Sequence, residues 1–511
     1  MEFSREPRRK IAALVATAAL IVTACGSSTA STAPSVSAAA PTAAPTAVPS
    51  VASAAPTAAP TPLLTAPPVV ADQPGPNGGV VVRWFVGLGT GGQPQQVATQ
   101  TKVVNDFNAS QKDVYISLEI YDNKVAANIL KTEIAAGNGP DIVGPVGVEG
   151  LNLFIDQLAD LQPLIASQNF DMTKFDPSLT NFFKMGKGGT TIGVPFAVYP
   201  SFIWYNKALF DEAKLPYPPT KIGDMYQGKP WDMDAVRALA MKLTVDKKGN
   251  DATSASFDPA NVTQWGFDMQ WADNRPDTEA TLFGASSVLA ADGKTAQITD
   301  QFKTGLKWFN AGVWTDHFIP TAAQINSDLL AKGNPFQSGN LAMDESHTWY
   351  MCCINPAAPA KASFNWGVAM APSYNGTITA KLHDDTFSIL NTTKNPNEAF
   401  TAVAKMVESG ELLADYGAMP ADPALQQAYF DTVQKQYPGS KIDWTVPQAM
   451  LSHIDIPNNQ AWVPDYAKTK SALQALGNKY RTTSGLDIDT ELATLKTTLQ
   501  GIFDQYLATH P

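Results

Sequence analysis

A chain of 511 residues exceeds what one ordinary hydrophobic core supports, so two domains or lobes are expected, together with whatever stays unfolded. Lys and Arg number 36 against 47 Asp and Glu, and the formal net charge of −11 is a poor one for neutralising phosphates, which sets a nucleic-acid partner aside. Hydrophobic residues at 44% and charged residues at 16% suit a soluble globular protein.

The charge is spread unevenly. Arg5, Arg8, Arg9 and Lys10 outweigh Glu2 and Glu6, and then no Asp, Glu, Lys, Arg or His occurs from Ile11 to Ala71. Ile11 to Ala24 is an apolar and small-residue run of signal-peptide length, too short to span a bilayer as a stable helix. It ends in Val22-Thr23-Ala24-Cys25, which resembles the bacterial lipobox. That resemblance implies cleavage before Cys25, lipidation of its thiol, and attachment to the cell membrane through several acyl chains, with the mature chain extracytoplasmic. Residues 1–24 are thus expected to be an export signal. Gly26 to Asp72 is Ala, Pro, Thr and Ser with hardly another type, a composition that offers little to bury, so residues 25–77 are expected to form a disordered tether.

The folded region begins with Gly79 to Val86, a buried strand by its β-branched and aromatic content. The loop Gly87-Leu-Gly-Thr-Gly-Gly92 follows, and Pro94 opens a helix with Val97, Val104 and Phe107 on one face. Val114 to Ile120 reads as a second strand, Val125 to Ala136 as a second helix, and Asp141 to Val143 as a short third strand, with Asp141 bracing the strand end. This alternation predicts an α/β fold with a parallel sheet under helical cover. Helical spacing recurs at Met233, Val236, Ala240 and Leu243 behind Asp232, at Phe302, Leu306, Phe309 and Val313, and at Phe400, Val403 and Val407 behind Asn395-Pro396. It returns from Leu492 to Tyr506, where Asp487, Asp489 and Glu491 stand at the start.

Several segments together resemble the bacterial extracellular solute-binding proteins of carbohydrate ABC importers. They are Phe107-Asn108, Ala135-Ala-Gly-Asn-Gly-Pro-Asp-Ile142, Ile192-Gly-Val-Pro-Phe-Ala-Val-Tyr199 with Trp204-Tyr-Asn-Lys207, Ser338-Gly-Asn-Leu-Ala-Met343 with Trp349, and Trp366-Gly-Val-Ala-Met-Ala-Pro372, in family order. The resemblance implies a class II periplasmic-binding-protein fold: two α/β lobes joined by several crossovers, closing on a ligand. Carried onto this chain, the crossovers fall near Phe196 to Ile203, Ala342 to Glu345 and Asp384 to Leu390. One lobe is then 78–196 with 343–385, and the other 197–342 with 386–511. It further implies a monomer that holds a sugar or oligosaccharide in the interlobe cleft and passes it to membrane-embedded permease subunits, with no catalysis, cofactor or metal.

A sugar presents hydroxyls around apolar C–H faces, so its site needs aromatic plates and planar polar groups. Trp349 and Trp462 match in position the aromatic residues that stack on glucose rings in the family's maltose binder, Trp271 is a looser candidate, and Tyr199 stands where that relative has a carboxylate. Open α/β sheets bind ligands at the carboxyl ends of their strands. That rule selects Gly89 and Thr90, Asp122 and Asn123, and Glu149, with His347 beside Trp349 and with His383, Asp384 and Asp385.

Two other classes compete. Gly87 to Gly92 is formally G-x-G-x-x-G between a strand and a helix, with Glu119 or Asp122 near the place of a ribose-binding acid, so a dinucleotide site is an alternative. An exported hydrolase is another: neither G-x-S-x-G nor H-E-x-x-H occurs, but two carboxylates far apart in sequence can still converge. Cys352 and Cys353 are adjacent, and a strained vicinal disulfide competes with two free thiols.

Overall fold

The computed structural model describes residues 63–64, 73–184, 189–269, 274–354, 364–455, 458–459 and 463–510. Two sheets organise them. In the first, Val80–Val86 pairs in parallel with Val114–Ile120 along its whole length and with Ile142–Val146 on its other side. The rest of that six-stranded sheet is antiparallel: Leu382–Ile389 lies between Ile142–Val146 and Val194–Pro200, and Met419–Pro420 forms the edge. The parallel arrangement expected from strand–helix alternation therefore holds at one end only. The later strands enter from remote parts of the chain, so no short helical crossover fixes their direction.

The second sheet has five strands in the order Trp366–Ala369, Phe202–Asn206, Leu341–Ser346, Val262–Asp268 and Val245–Asp246. Helices form where apolar spacing and caps agree. Met233–Leu243 buries Met233, Val236, Ala240 and Leu243, and the Asp232 carboxylate accepts from the Ala235 N–H at its start. Asp300–Trp314, Pro396–Met406 and Ile488–Leu507 follow the other spacings, the last with acids in its first turn.

The chain passes from the first sheet to the second with only Ser201 between Val194–Pro200 and Phe202–Asn206. It returns between Ala369 and Leu382, and later reaches Tyr466–Thr482 and Ile488–Leu507, which pack on Asp300–Trp314 beside the second sheet. The sequence-based division differs here. Leu341–Ser346 and Trp366–Ala369, placed by that reading largely with the first lobe, are second-sheet strands, and Leu382–Ile389 belongs wholly to the first sheet. Thus Ala342 to Glu345 lies inside a strand, and Asp384 to Leu390 runs along a strand to its end, rather than at crossings. Strands in both sheets are buried on both faces, so composition carries no mark of which sheet a strand joins.

Asp141 does brace its strand end, accepting from the Arg83 N–H at 2.8 Å and from the Thr393 hydroxyl. Within the expected tether, Leu63 and Leu64 instead donate to the Ile120 carbonyl at 2.8 and 3.2 Å, covering the sheet edge with half-buried side chains. Nearby, the Asn77 amide donates to the carbonyls of Asn108, Gln111 and Val114. The expected signal, Cys25 and most of the tether lie outside the described residues, as do the side chains of Cys352 and Cys353. Among the described residues, no helix is long and apolar enough to cross a membrane.

Candidate functional site

A cavity of about 550 Å³ lies between elements of the two sheets. The first-sheet side contributes Leu88 to Gly91 after the first strand, Asn123 at a helix start, Gly147 and Glu149 after the third strand, and Tyr199, His383 and Asp385 from neighbouring strands. The opposite wall consists of Trp349, just past Leu341–Ser346, and Tyr466, Ala467 and Lys470 from Tyr466–Thr482.

The glycine loop is shaped by close approach. Gly91 has φ +94°, and a Cβ at Gly92 would fall 1.8 Å from Asn123 Oδ1, so neither position takes a side chain without displacing its neighbours. Asn123 holds the loop by donating to the Gly89 carbonyl at 2.6 Å. The acids that would mark a dinucleotide site are engaged elsewhere. Glu119 is paired with Arg83 at 2.8 Å, and Asp122 caps Asn123–Ala135 by accepting from Lys124 N–H. Asp122 therefore supplies a helix start, and its neighbour Asn123 is the residue on the cavity wall.

Strand alternation sorts the next three candidates. His383 and Asp385 face the cavity, while Asp384 points to the other side, where it is 1% exposed and neither carboxylate oxygen has a partner among the described residues. Burial pushes the Asp384 carboxyl well above the usual range, with the Asp385 charge adding to it. Asp385 Oδ2 accepts from the Thr90 hydroxyl at 2.8 Å, and Thr90 Oγ1 lies 3.2 Å from Tyr199 Oη. Burial raises the Asp385 carboxyl to about 6, Thr90 opposing it by hydrogen bonding. At neutral pH it is an ionised acceptor, and among the described residues Thr90 stabilises its charge by hydrogen bonding.

The aromatic wall is layered. The Trp349 ring stacks on His347 with centroids 4.0 Å apart and planes 18° apart. His383 meets its edge at 4.8 Å and 77°, and Tyr199 is tilted against it at 5.3 Å. His347, also selected from sequence, is 4% exposed and lies behind the indole rather than on the cavity surface. Burial, with the Lys381 charge, holds both imidazoles well below their ordinary pKa, so they are neutral packing surfaces.

Glu149 connects the two walls. It pairs with Lys470 and lies 3.9 Å from Arg275, itself buried with Asp277 and donating to Tyr466 Oη at 2.7 Å. Burial pushes the Glu149 carboxyl up, but the two cations more than reverse this and leave it below the usual range.

Of the residues selected from sequence, Gly89, Thr90, Asn123, Glu149, Tyr199, Trp349, His383 and Asp385 line the cavity. Trp271 and Trp462 lie outside the described residues. Sequence reasoning did not single out Tyr416, Tyr466 or Lys470; Tyr416 caps a helix end just ahead of a strand, and Tyr466 and Lys470 lie in the first turns of a helix, so none follows a strand C-terminus. Among the described residues, no group of three or more His, Cys, Asp or Glu is placed to hold a metal ion.

No curated protein sequence matches the chain significantly. Among solved structures, UspC of M. tuberculosis superposes with a TM-score of 0.61 at 20% identity, covering 83% of this chain and 100% of its own. The Listeria monocytogenes ABC substrate-binding protein Lmo0181, solved with cycloalternan, gives 0.63 at 17% identity over 84% of this chain and 99% of that one. The cyclic alpha-maltosyl-1,6-maltose binding protein of Arthrobacter globiformis gives 0.63 at 18%, covering 84% and 100%. These likenesses establish the two-lobed fold. The model of the bacterial extracellular solute-binding protein family matches residues 90–411, well over half of the sequence, and the chain belongs to that family.

Proposed function

We propose that the chain is the substrate-binding component of an ABC importer, capturing a sugar or oligosaccharide between its lobes and delivering it unchanged to the permease. One observation carries this reading. The cavity sets a large aromatic plate, Trp349, beside a hydrogen-bonded row of Tyr199, Thr90 and Asp385, and this pairing suits the apolar faces and hydroxyl rim of a sugar ring. Its volume is that of a small-ligand site. The structural neighbours solved with cycloalternan or named for a cyclic maltosyl sugar support the same ligand class.

Ligand contacts from both walls would favour the shut form, which the permease recognises. The reading includes a mature monomer held at the extracytoplasmic face of the cell membrane by lipid on Cys25, with the Ala/Pro/Thr/Ser segment as its tether.

A thermal-shift screen over mono- and oligosaccharides, peptides and polyamines tests this. A saccharide present at 100 times its Kd should add about 2.7 kcal/mol of stability and be recovered chemically intact. Trp349→Ala should weaken that saccharide by about 1 kcal/mol or more, the scale of a lost aromatic contact. Stabilisation by a non-carbohydrate alone would overturn the assignment, and turnover of the sugar would replace the receptor by a hydrolase.

A further inference from the structure

Tyr416 stands at the end of the short helix Gly410–Asp415, in a part of the chain where sequence patterns offered no candidate. Its ring is 2% exposed and fixed edge-on against Phe196, with centroids 6.2 Å apart at 74°. It lines the cavity, yet its hydroxyl is buried with no hydrogen-bond partner among the described residues. A buried hydroxyl left unpaired is costly, and native structures rarely keep one without a use. The Gly91 loop sits against it: a Cβ at Gly91 would fall 3.2 Å from Tyr416 Oη.

The neighbouring groups define what this hydroxyl can pair with. An ionised Asp385 only accepts, so the Thr90 hydrogen is committed to it. Thr90 oxygen must then be the acceptor in its contact with Tyr199, which commits the Tyr199 hydrogen as well. This wall therefore keeps unused lone pairs on Asp385 and Tyr199, and Tyr416 brings to it a buried hydroxyl that has no partner among the described residues, with the equally unpartnered Gln100 Oε1 nearby. A sugar hydroxyl both accepts and donates, and fits between such groups; a deoxygenated carbon or a methyl ether lacks one or both functions.

From this inventory we infer that Tyr416 is a specificity-determining residue: it donates to one particular hydroxyl of the bound sugar, whose own hydrogen goes to Asp385 or Tyr199. The inference rests on the sugar-binding reading and deepens it by naming the feature of the sugar that is read.

The test uses the mature chain and its Tyr416→Phe variant in calorimetric titrations with maltose, maltotriose, cellobiose, mannobiose and lactose, then with monodeoxy analogues of the tightest binder. Tyr416→Phe should bind the parent sugar about 5- to 10-fold more weakly. For one analogue alone, variant and wild type should bind alike, because the reading partner is already gone. The unliganded variant should melt no lower than wild type, since it loses only an unpaired hydroxyl.

Equal loss across every analogue, unchanged affinity for the parent, or a destabilised free variant would each overturn the inference while leaving sugar binding intact. The last two would assign the hydroxyl to Gln100, whose Oε1 lies 3.2 Å from the same Gly91 position. Failure of wild type to bind any saccharide would overturn the functional reading itself, and the inference with it.

Discussion

Under the proposed function, the single buried carboxylate of Asp385 would tie ligand capture to pH. With its pKa raised to about 6, it is ionised at pH 7.5 and mostly protonated at pH 5. Among its titratable neighbours, burial holds His383 well below its ordinary pKa, Arg275 and Lys470 hold Glu149 below the usual carboxylate range, and burial with the Asp385 charge pushes Asp384 well above it. If the ionised form is the sugar acceptor, affinity should be flat above pH 7 and fall by up to about tenfold per pH unit below 6. Asp385→Asn should bind about ten- to a hundredfold more weakly at pH 7.5 and lose that slope, the scale of a hydrogen bond to a charged group. Titrations at pH 5, 6 and 7.5 decide it, and a slope unchanged in the variant removes Asp385 from the site. Side-chain direction was legible from sequence only where strand alternation applied. Having His383 and Asp385 on one face and Asp384 on the other follows once the segment is known to be a strand. That His347 backs Trp349, and that Tyr416 reaches the cavity at all, depend on folding of remote segments, which no local pattern records.

At the level of elements, the helix Tyr466–Thr482 has a second task besides packing on Asp300–Trp314: its first turns put Tyr466 and Lys470 on the cavity wall, facing Glu149. The Glu149–Lys470 pair is partly exposed, with side chains 31% and 27% accessible, so its net stabilisation is modest, about 0–1 kcal/mol. The pair bridges the two walls, so the opening that the proposed function entails would break it, and even that amount would act directly on the closed form. Glu149→Gln should leave melting nearly unchanged, weaken sugar binding by up to about fivefold, and increase the radius of gyration of the ligand-free chain in solution scattering. An unaltered radius with unaltered affinity would reduce the pair to surface decoration. Helices were the most readable elements, because their caps and apolar spacing are local; Asp232 and Asp487 stand at the starts that their sequence contexts imply. The crossovers were less readable, since a strand buried on both faces looks the same in either sheet.

For the whole molecule, the passage between the two sheets is narrow. Ser201 separates one strand of each, its hydroxyl accepts from the Lys381 N–H at 2.9 Å, and it also hydrogen-bonds Glu345 on the adjacent second-sheet strand. Glu345 is 1% exposed, and burial raises its carboxyl to about 8, with Ser201 and Lys381 lowering it only in part. In the unfolded chain the same group ionises near 4.5. Between those values the folded state holds a proton that the unfolded state has released, so this residue makes stability fall as pH rises, by about 1.4 kcal/mol per pH unit across the window. Its contribution is fully present below the unfolded pKa and lost by about pH 8. Glu345→Gln is isosteric with the protonated acid and cannot ionise. Wild type and variant should therefore melt within a few degrees of each other at pH 4.5, and the variant should melt increasingly higher from pH 6 to about 8, the gap levelling off above that. Melting curves that stay parallel over that range would mean that Glu345 ionises normally at the crossing. A gap that widens with pH would show that ionisation of Glu345 destabilises the passage between the two sheets.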